Sequence, residues 1–120
     1  MSAGRTLKVL ADYDCWALWV SATAGTVNAD PADPRLGLSP DLVAELNRWA
    51  EEYTATLNRD DPAASGFPSE EAEREFAARG RRLAEAIRAQ VGPEWRVTYY
   101  DSGLGRDVEI PGSSVRRGTG

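Results

Sequence analysis

The 120-residue chain predicts an α+β fold: a small, twisted, mainly antiparallel sheet with two amphipathic helices on one face. Two stretches, residues 5–13 and 95–101, alternate apolar and polar side chains with the period of two that marks a strand buried on one side. Two others, residues 42–57 and 72–91, repeat apolar residues at spacings of three and four, the signature of an amphipathic helix. Each helix needs a surface for its apolar stripe, and one small sheet serves both. The expected order is β-β-α-α-β, with short extra strands at the edges. A chain of this length buries roughly two-thirds of its unfolded surface around one core. Residues 1–111 therefore read as a single domain and 112–120, poor in apolar residues, as a flexible tail.

The first strand places Leu7, Val9, Ala11 and Tyr13 on one face. Asp12 to Cys15 interrupts the pattern, and Trp16 to Val20 resumes it with Trp16, Leu18 and Val20 on one side and Ala17 and Trp19 on the other. Thr26 to Asn28 follows the turn-prone Ala24-Gly25 and is placed to fold back as a hairpin. Two Asp-Pro steps between Asn28 and Gly37 disfavour helix and predict a surface loop.

Helix one is fully punctuated. Ser39 is its N-cap, Pro40 its first residue and Asp41 lies in the electropositive first turn, while Leu38 is placed to staple onto Val43. Its stripe is Leu42, Leu46, Trp49, Tyr53 and Leu57, with Asn58 as a stop. A polar connector containing Asp60-Asp61-Pro62 and anchored by Phe67 leads to Ser69, the N-cap of helix two. Ala72, Phe76, Gly80, Leu83, Ile87 and Val91 form the second stripe. Glycine costs about 1 kcal/mol against alanine inside a helix, so Gly80 is expected to face a close neighbour, Trp49 or a strand. Gly92-Pro93 is expected to end the helix through a left-handed glycine. Trp95 to Asp101 is the next strand, and Asp107 to Ile110 a short edge strand stopped by Pro111.

Composition excludes more chemistry than it supplies. With no histidine, the Ser-His and Cys-His dyads and histidine-containing zinc sites are ruled out. The one cysteine, Cys15, can form no intramolecular disulfide, which fits a reducing compartment. The N-terminal residues lack the apolar stretch of a signal peptide, and no run approaches the roughly 18 apolar residues of a membrane span, so a cytoplasmic protein without membrane contact is expected. The formal charge of −5, with basic residues mostly scattered, offers no footprint for nucleic acid and suits a basic protein partner. No cofactor or metal is expected: Asp12 and Asp14 make only a weak pair of carboxylates. Asp30 with Asp33, like the Asp60-Asp61 pair, reads as a loop pair capping local amides. Cys15, beside Asp14, reads as a small buried hydrophobe. Gly103 and Gly105 precede no helix that presents its N-terminus to a phosphate.

Aromatic residues concentrate on the strands (Tyr13, Trp16, Trp19, Trp95, Tyr99 and Tyr100), and alternation prevents all of them from entering one core. Exposed tryptophan and tyrosine beside carboxylates is the chemistry of a protein-binding surface. Asp12, Tyr13, Asp14, Trp16 and Trp19 are therefore the candidate partner-binding residues. A rival reading is a small enzyme or ligand-binding domain, with Asp12, Asp14, Tyr99 and Tyr100 around a pocket, since carboxylate and phenol can do acid–base work without histidine. Self-association through the open sheet face, giving a homodimer, is a third.

The segments Leu10-Ala11-Asp12-Tyr13, Cys15-Trp16-Ala17-Leu18-Trp19, Leu38-Ser39-Pro40 with Leu46, Trp49 and Tyr53, and Ser65-Gly66-Phe67-Pro68-Ser69 resemble a group of short proteins from GC-rich bacteria. The likeness covers about residues 7 to 100. It implies the same two-helix α+β unit and assigns no catalytic role. In size and acidity such chains also look like bacterial immunity proteins, which occlude the active site of a toxin. The sequence reading is thus an acidic cytoplasmic binding module, immunity- or inhibitor-like, with no recognisable catalytic motif.

Overall fold

A computed structural model describes residues 5–22, 25–57, 60, 66–101 and 104–111. Strands β1 (Arg5–Val9), β2 (Leu18–Ala22) and β3 (Gly25–Ala29) come first. Helices α1 (Pro40–Ala55) and α2 (Glu70–Gln90) follow, then strands β4 (Trp95–Asp101) and β5 (Arg106–Glu109). The five strands form one sheet in the order β3-β2-β1-β4-β5. The β1–β4 pair is parallel, with Leu7 opposite Val97 and Val9 opposite Tyr99, and the other three pairs are antiparallel. The α+β expectation holds, and both short edge strands are present.

Register sorts the side chains. Leu7, Val9, Leu18, Val97 and Tyr99 share the face beneath the helices and are buried with Leu46, Trp49, Phe76, Leu83 and Ile87. Helix α2 lies on β4 and β1, and α1 packs beside α2. Gly80 makes this close approach feasible: a Cβ there would lie 2.9 Å from Cε1 of Tyr99 and closer still to Cζ2 of Trp49. The indole of Trp49 stacks on Phe76 at 4.6 Å between centroids and donates its Nε1 hydrogen to the Phe76 carbonyl at 3.0 Å. Glu52 and Arg79 clamp the two helices from outside, with Nη1 2.9 Å from Oε2. The opposite sheet face is polar and carries the ion pairs Lys8–Asp107 and Arg96–Glu109 at 3.5 and 2.7 Å.

The caps behave as the sequence predicts. Ser39 Oγ accepts from the Leu42 amide and Ser69 Oγ from the Ala72 amide. Several boundaries differ. Strand β1 stops at Val9 instead of continuing to Tyr13, and β2 begins at Leu18, leaving Trp16 in the connection. Helix α1 ends at Ala55, two residues before Leu57, where Thr56 Oγ1 turns back to the Tyr53 carbonyl at 2.6 Å. Helix α2 does not close through a left-handed Gly92. Val91 swings into extended backbone at φ −87° and ψ 160° while its amide still reaches the Ile87 carbonyl. Arg88 then donates to the carbonyls of Gly92 and Trp95, at 2.8 and 2.6 Å, and so ties the helix to the chain that follows it into β4. Asn58, Asp61, Pro62, Gly103 and the tail at 112–120 lie outside the described residues.

Candidate functional site

The connection between β1 and β2 carries most of the predicted contact residues. It starts in register, with the Leu10 amide donating to the Ala17 carbonyl at 3.0 Å. The chain then turns sharply enough that Asp14 takes φ +59°, a conformation that aspartate tolerates better than most residues. Two polar clamps hold the turn. The Asp14 amide donates to Thr54 Oγ1 on α1 at 2.9 Å. Asn28 on β3 accepts from the Trp16 amide and donates to the carbonyls of Trp16 and Leu18, each at 2.9 Å, completing with a side chain the ladder that backbone leaves unfinished. Tyr13 stacks on Tyr53 of α1 at 4.8 Å, and the Asp12 carboxylate accepts the Tyr13 amide at 2.8 Å.

The result is a preorganised ridge. Trp16 keeps 45% of its surface exposed, a high fraction for so large an apolar group, and Asp12 and Asp14 stand exposed beside it. Below the ridge runs an open groove of about 510 Å³, with Asp14, Cys15 and Trp16 on one wall, Asn47, Glu51 and Thr54 on the other, and Asn28 also lining it. Cys15 is half-buried and lines this groove, so it is not the core hydrophobe the sequence suggested. The two aspartates lie at the turn between β1 and β2, outside both strands.

Asp12, Tyr13, Asp14 and Trp16 thus come together, whereas Trp19 does not join them. Its register partner is Lys8, which puts it on the sheet face away from the helices, where its Nε1 donates to the Leu10 carbonyl at 3.0 Å and braces the loop from behind. The rival constellation is divided in space. Asp14 lines the large groove, while Tyr99 and Tyr100 line a smaller one. Tyr99 is buried with its hydroxyl donating to the Ala77 carbonyl at 2.8 Å, and burial pushes its pKa up to about 12, with Asp101 adding and Arg81 opposing. Such a phenol is poorly placed to exchange protons at neutral pH.

Sequence reasoning missed the α1 wall. Asn47, Glu51 and Thr54 recur at four and three residues beside the apolar stripe, a polar row that helical spacing could have flagged. Elsewhere, Asp30 and Asp33 accept the amides of Ala32 and Arg35, as expected of capping aspartates. Hydrogen bonds from Arg35 hold the Asp33 carboxyl down at about 2. Among the described residues no three His, Cys, Asp or Glu side chains are grouped to hold a metal ion, and no helix is long and apolar enough to cross a membrane.

Comparison with known proteins gives one family. The family described as Serratia CdiI immunity protein-like matches residues 5–102, from the start of β1 to just past the end of β4. No curated protein matches the chain.

Proposed function

The chain belongs to the Serratia CdiI immunity protein-like family, and from that membership we propose that it is a cytoplasmic protein-binding module that neutralises a toxin by covering a basic patch on it. The contact surface is the ridge Asp12, Tyr13, Asp14 and Trp16 with the adjoining α1 wall. One observation carries the assignment: Trp16 stands exposed on a turn whose backbone is fixed at both sides, by Thr54 and by Asn28. A large aromatic held in place before binding loses little conformational freedom on contact, which is what makes such residues dominate interface energetics. The flanking carboxylates supply attraction toward a cationic partner. Trp19 supports the ridge and stays out of the contact.

Tagged protein would be used to capture its partner from native cell extract at low and moderate salt, beside a D12N/D14N variant. The captured protein would then be expressed alone and together with this chain. The reading expects a basic protein that arrests growth alone, is neutralised on co-expression, and is recovered less well by the variant and at higher salt. A partner that is not toxic, or one bound equally by the variant, overturns it.

A further inference from the structure

A second cavity lies outside the ridge, at the carboxyl ends of the only parallel strand pair in the described sheet. From β1 the chain leaves toward β2 on one side, and from β4 toward β5 on the other. Divergent connections of this kind leave a crevice beyond the strand ends, the place where open sheets commonly receive ligands. Here the crevice has a volume of about 160 Å³ and is walled by Trp49, Tyr53, Phe67, Phe76 and Tyr99, with Glu73 among its lining residues. Small-molecule sites run to roughly 300–1,000 Å³, so this one is sized for a single side chain.

Its chemistry is specific. Trp49, Phe76 and Tyr99 are buried, whereas Tyr53 and Phe67 are half-buried and Glu73 is exposed, which places the acid at the mouth with the rings of Tyr53 and Phe67 nearest it and the buried rings behind. Phe67 meets Phe76 at 4.9 Å and Tyr53 at 6.2 Å in tilted contacts, so the rings form a cluster of faces and edges, not one flat stack. The carboxylates of Asp12 and Glu73 both act on Tyr53, where, after burial and the Tyr13 hydroxyl, they help hold its phenol protonated to higher pH. The outer side of the cluster already takes a cation, the Arg79 guanidinium 5.9 Å above Phe76, held there by Glu52.

We propose that this crevice is an anchor pocket for an arginine side chain of the protein partner. Aromatic faces with a carboxylate at the rim favour a cation, and a planar guanidinium stacks where a compact, strongly hydrated ammonium does not. The pocket adjoins the ridge through the Tyr13–Tyr53 stack, so the inference rests on the protein-binding reading and adds what the ridge alone lacks, a hole for a central side chain.

The test uses N-acetyl-arginine amide, N-acetyl-lysine amide and N-acetyl-norleucine amide, titrated into the full chain while the ring resonances of Tyr53, Phe67 and Tyr99 are followed by NMR. Saturable shifts with the arginine compound, about fivefold weaker with lysine and absent with norleucine, are expected, and Glu73→Gln should weaken arginine binding by about fivefold. Glu73 is exposed in the first turn of α2, so this variant keeps the fold. No saturable shift with arginine, equal shifts with norleucine, or indifference to Glu73→Gln overturns the pocket. The two readings fail separately. Arginine binding without capture of a toxin removes the proposed function and leaves the cation pocket, whereas capture that depends on Asp12 and Asp14 without arginine binding removes the pocket alone.

Discussion

At Gly80, helix propensity and packing pull in opposite directions. Alanine would improve the helix by about 1 kcal/mol. Its methyl group would also press into the Trp49 ring and stand 2.9 Å from Tyr99, both of them anchored by hydrogen bonds to α2 carbonyls. Overpacking of this kind costs roughly 1–3 kcal/mol, so G80A is expected to lower stability by about 1 kcal/mol net, read as a lower urea midpoint at unchanged m-value. Tyr99 allows a second test at the same contact. Removing its hydroxyl in Y99F should cost about 1 kcal/mol through loss of the bond to Ala77. The same variant has a pH signature. An unfolded tyrosine ionises near about 10, and folded Tyr99 at about 12, so the native state holds this proton more tightly. Its contribution to stability is complete below about pH 10 and lost as pH rises toward 12. Wild-type urea midpoints should therefore fall more steeply than those of Y99F across that range, and parallel curves would show that the site does not titrate in this way.

The elements were the most legible part of this sequence, because each helix announces itself twice, by its stripe and by its cap. Ser39 and Ser69 both occupy their predicted roles, but they are not equivalent. Ser69 makes the N-cap bond to Ala72, whereas Ser39 also meets Gln90 at the far end of α2, its amide donating to Oε1 at 2.7 Å and its hydroxyl accepting from Nε2 at 3.3 Å. S69A should cost about 1 kcal/mol, the ordinary loss of a serine cap. S39A should cost a few tenths more, and in a Q90A background the two serine substitutions should become equal. A cycle showing no coupling between Ser39 and Gln90 would refute the second tie. What the sequence did not reveal at this scale follows from physics that periodicity does not record. Alternation through Ala11 and Tyr13 looks like strand, yet the chain leaves the sheet after Val9, because β2 pairs only with Thr6 to Val9 and the intervening residues fold over α1. The end of α2 departs from expectation for a similar reason: Gly92 is locally able to cap, but the chain already turns out of the helix at Val91, and Arg88 holds the exit by bonding the Gly92 and Trp95 carbonyls beyond it.

At the scale of the whole molecule, the contiguous part of the site could be read and the assembled part could not. Asp12 to Trp16 are neighbours in sequence and stay together. Trp19 leaves them because it sits within β2, paired with Lys8 on the face away from the helices, while they lie in the connection before that strand, and the α1 wall joins them through a tertiary contact that a single sequence does not encode locally. The parallel pairing of β1 with β4, which opens the crevice beyond their ends, is likewise a property of topology. The formal charge of −5 acts at this scale too: on the proposed reading, exposed carboxylates on the ridge add to a field that would draw a cationic partner from a distance. Such attraction acts mainly on the association rate and is screened over roughly 10 Å at 0.1 M salt, whereas the dissociation rate depends on close contacts such as Trp16. On that reading D12N/D14N is expected to slow association with the captured partner by about tenfold at low salt, to flatten its salt dependence, and to change the dissociation rate little. Both aspartates are exposed, and asparagine keeps the side-chain oxygen that accepts the Tyr13 amide, so folding stability should change by no more than about 0.5 kcal/mol. Trp16→Ala should do the opposite, leaving association nearly unchanged and speeding dissociation by more than about tenfold, as truncation of a central aromatic anchor does. Stopped-flow association and chase-dissociation at two ionic strengths separate the two effects. If both variants altered the same rate constant, the ridge would not divide into a steering part and an anchoring part, and the carboxylates would instead be making direct, desolvated contacts in the complex.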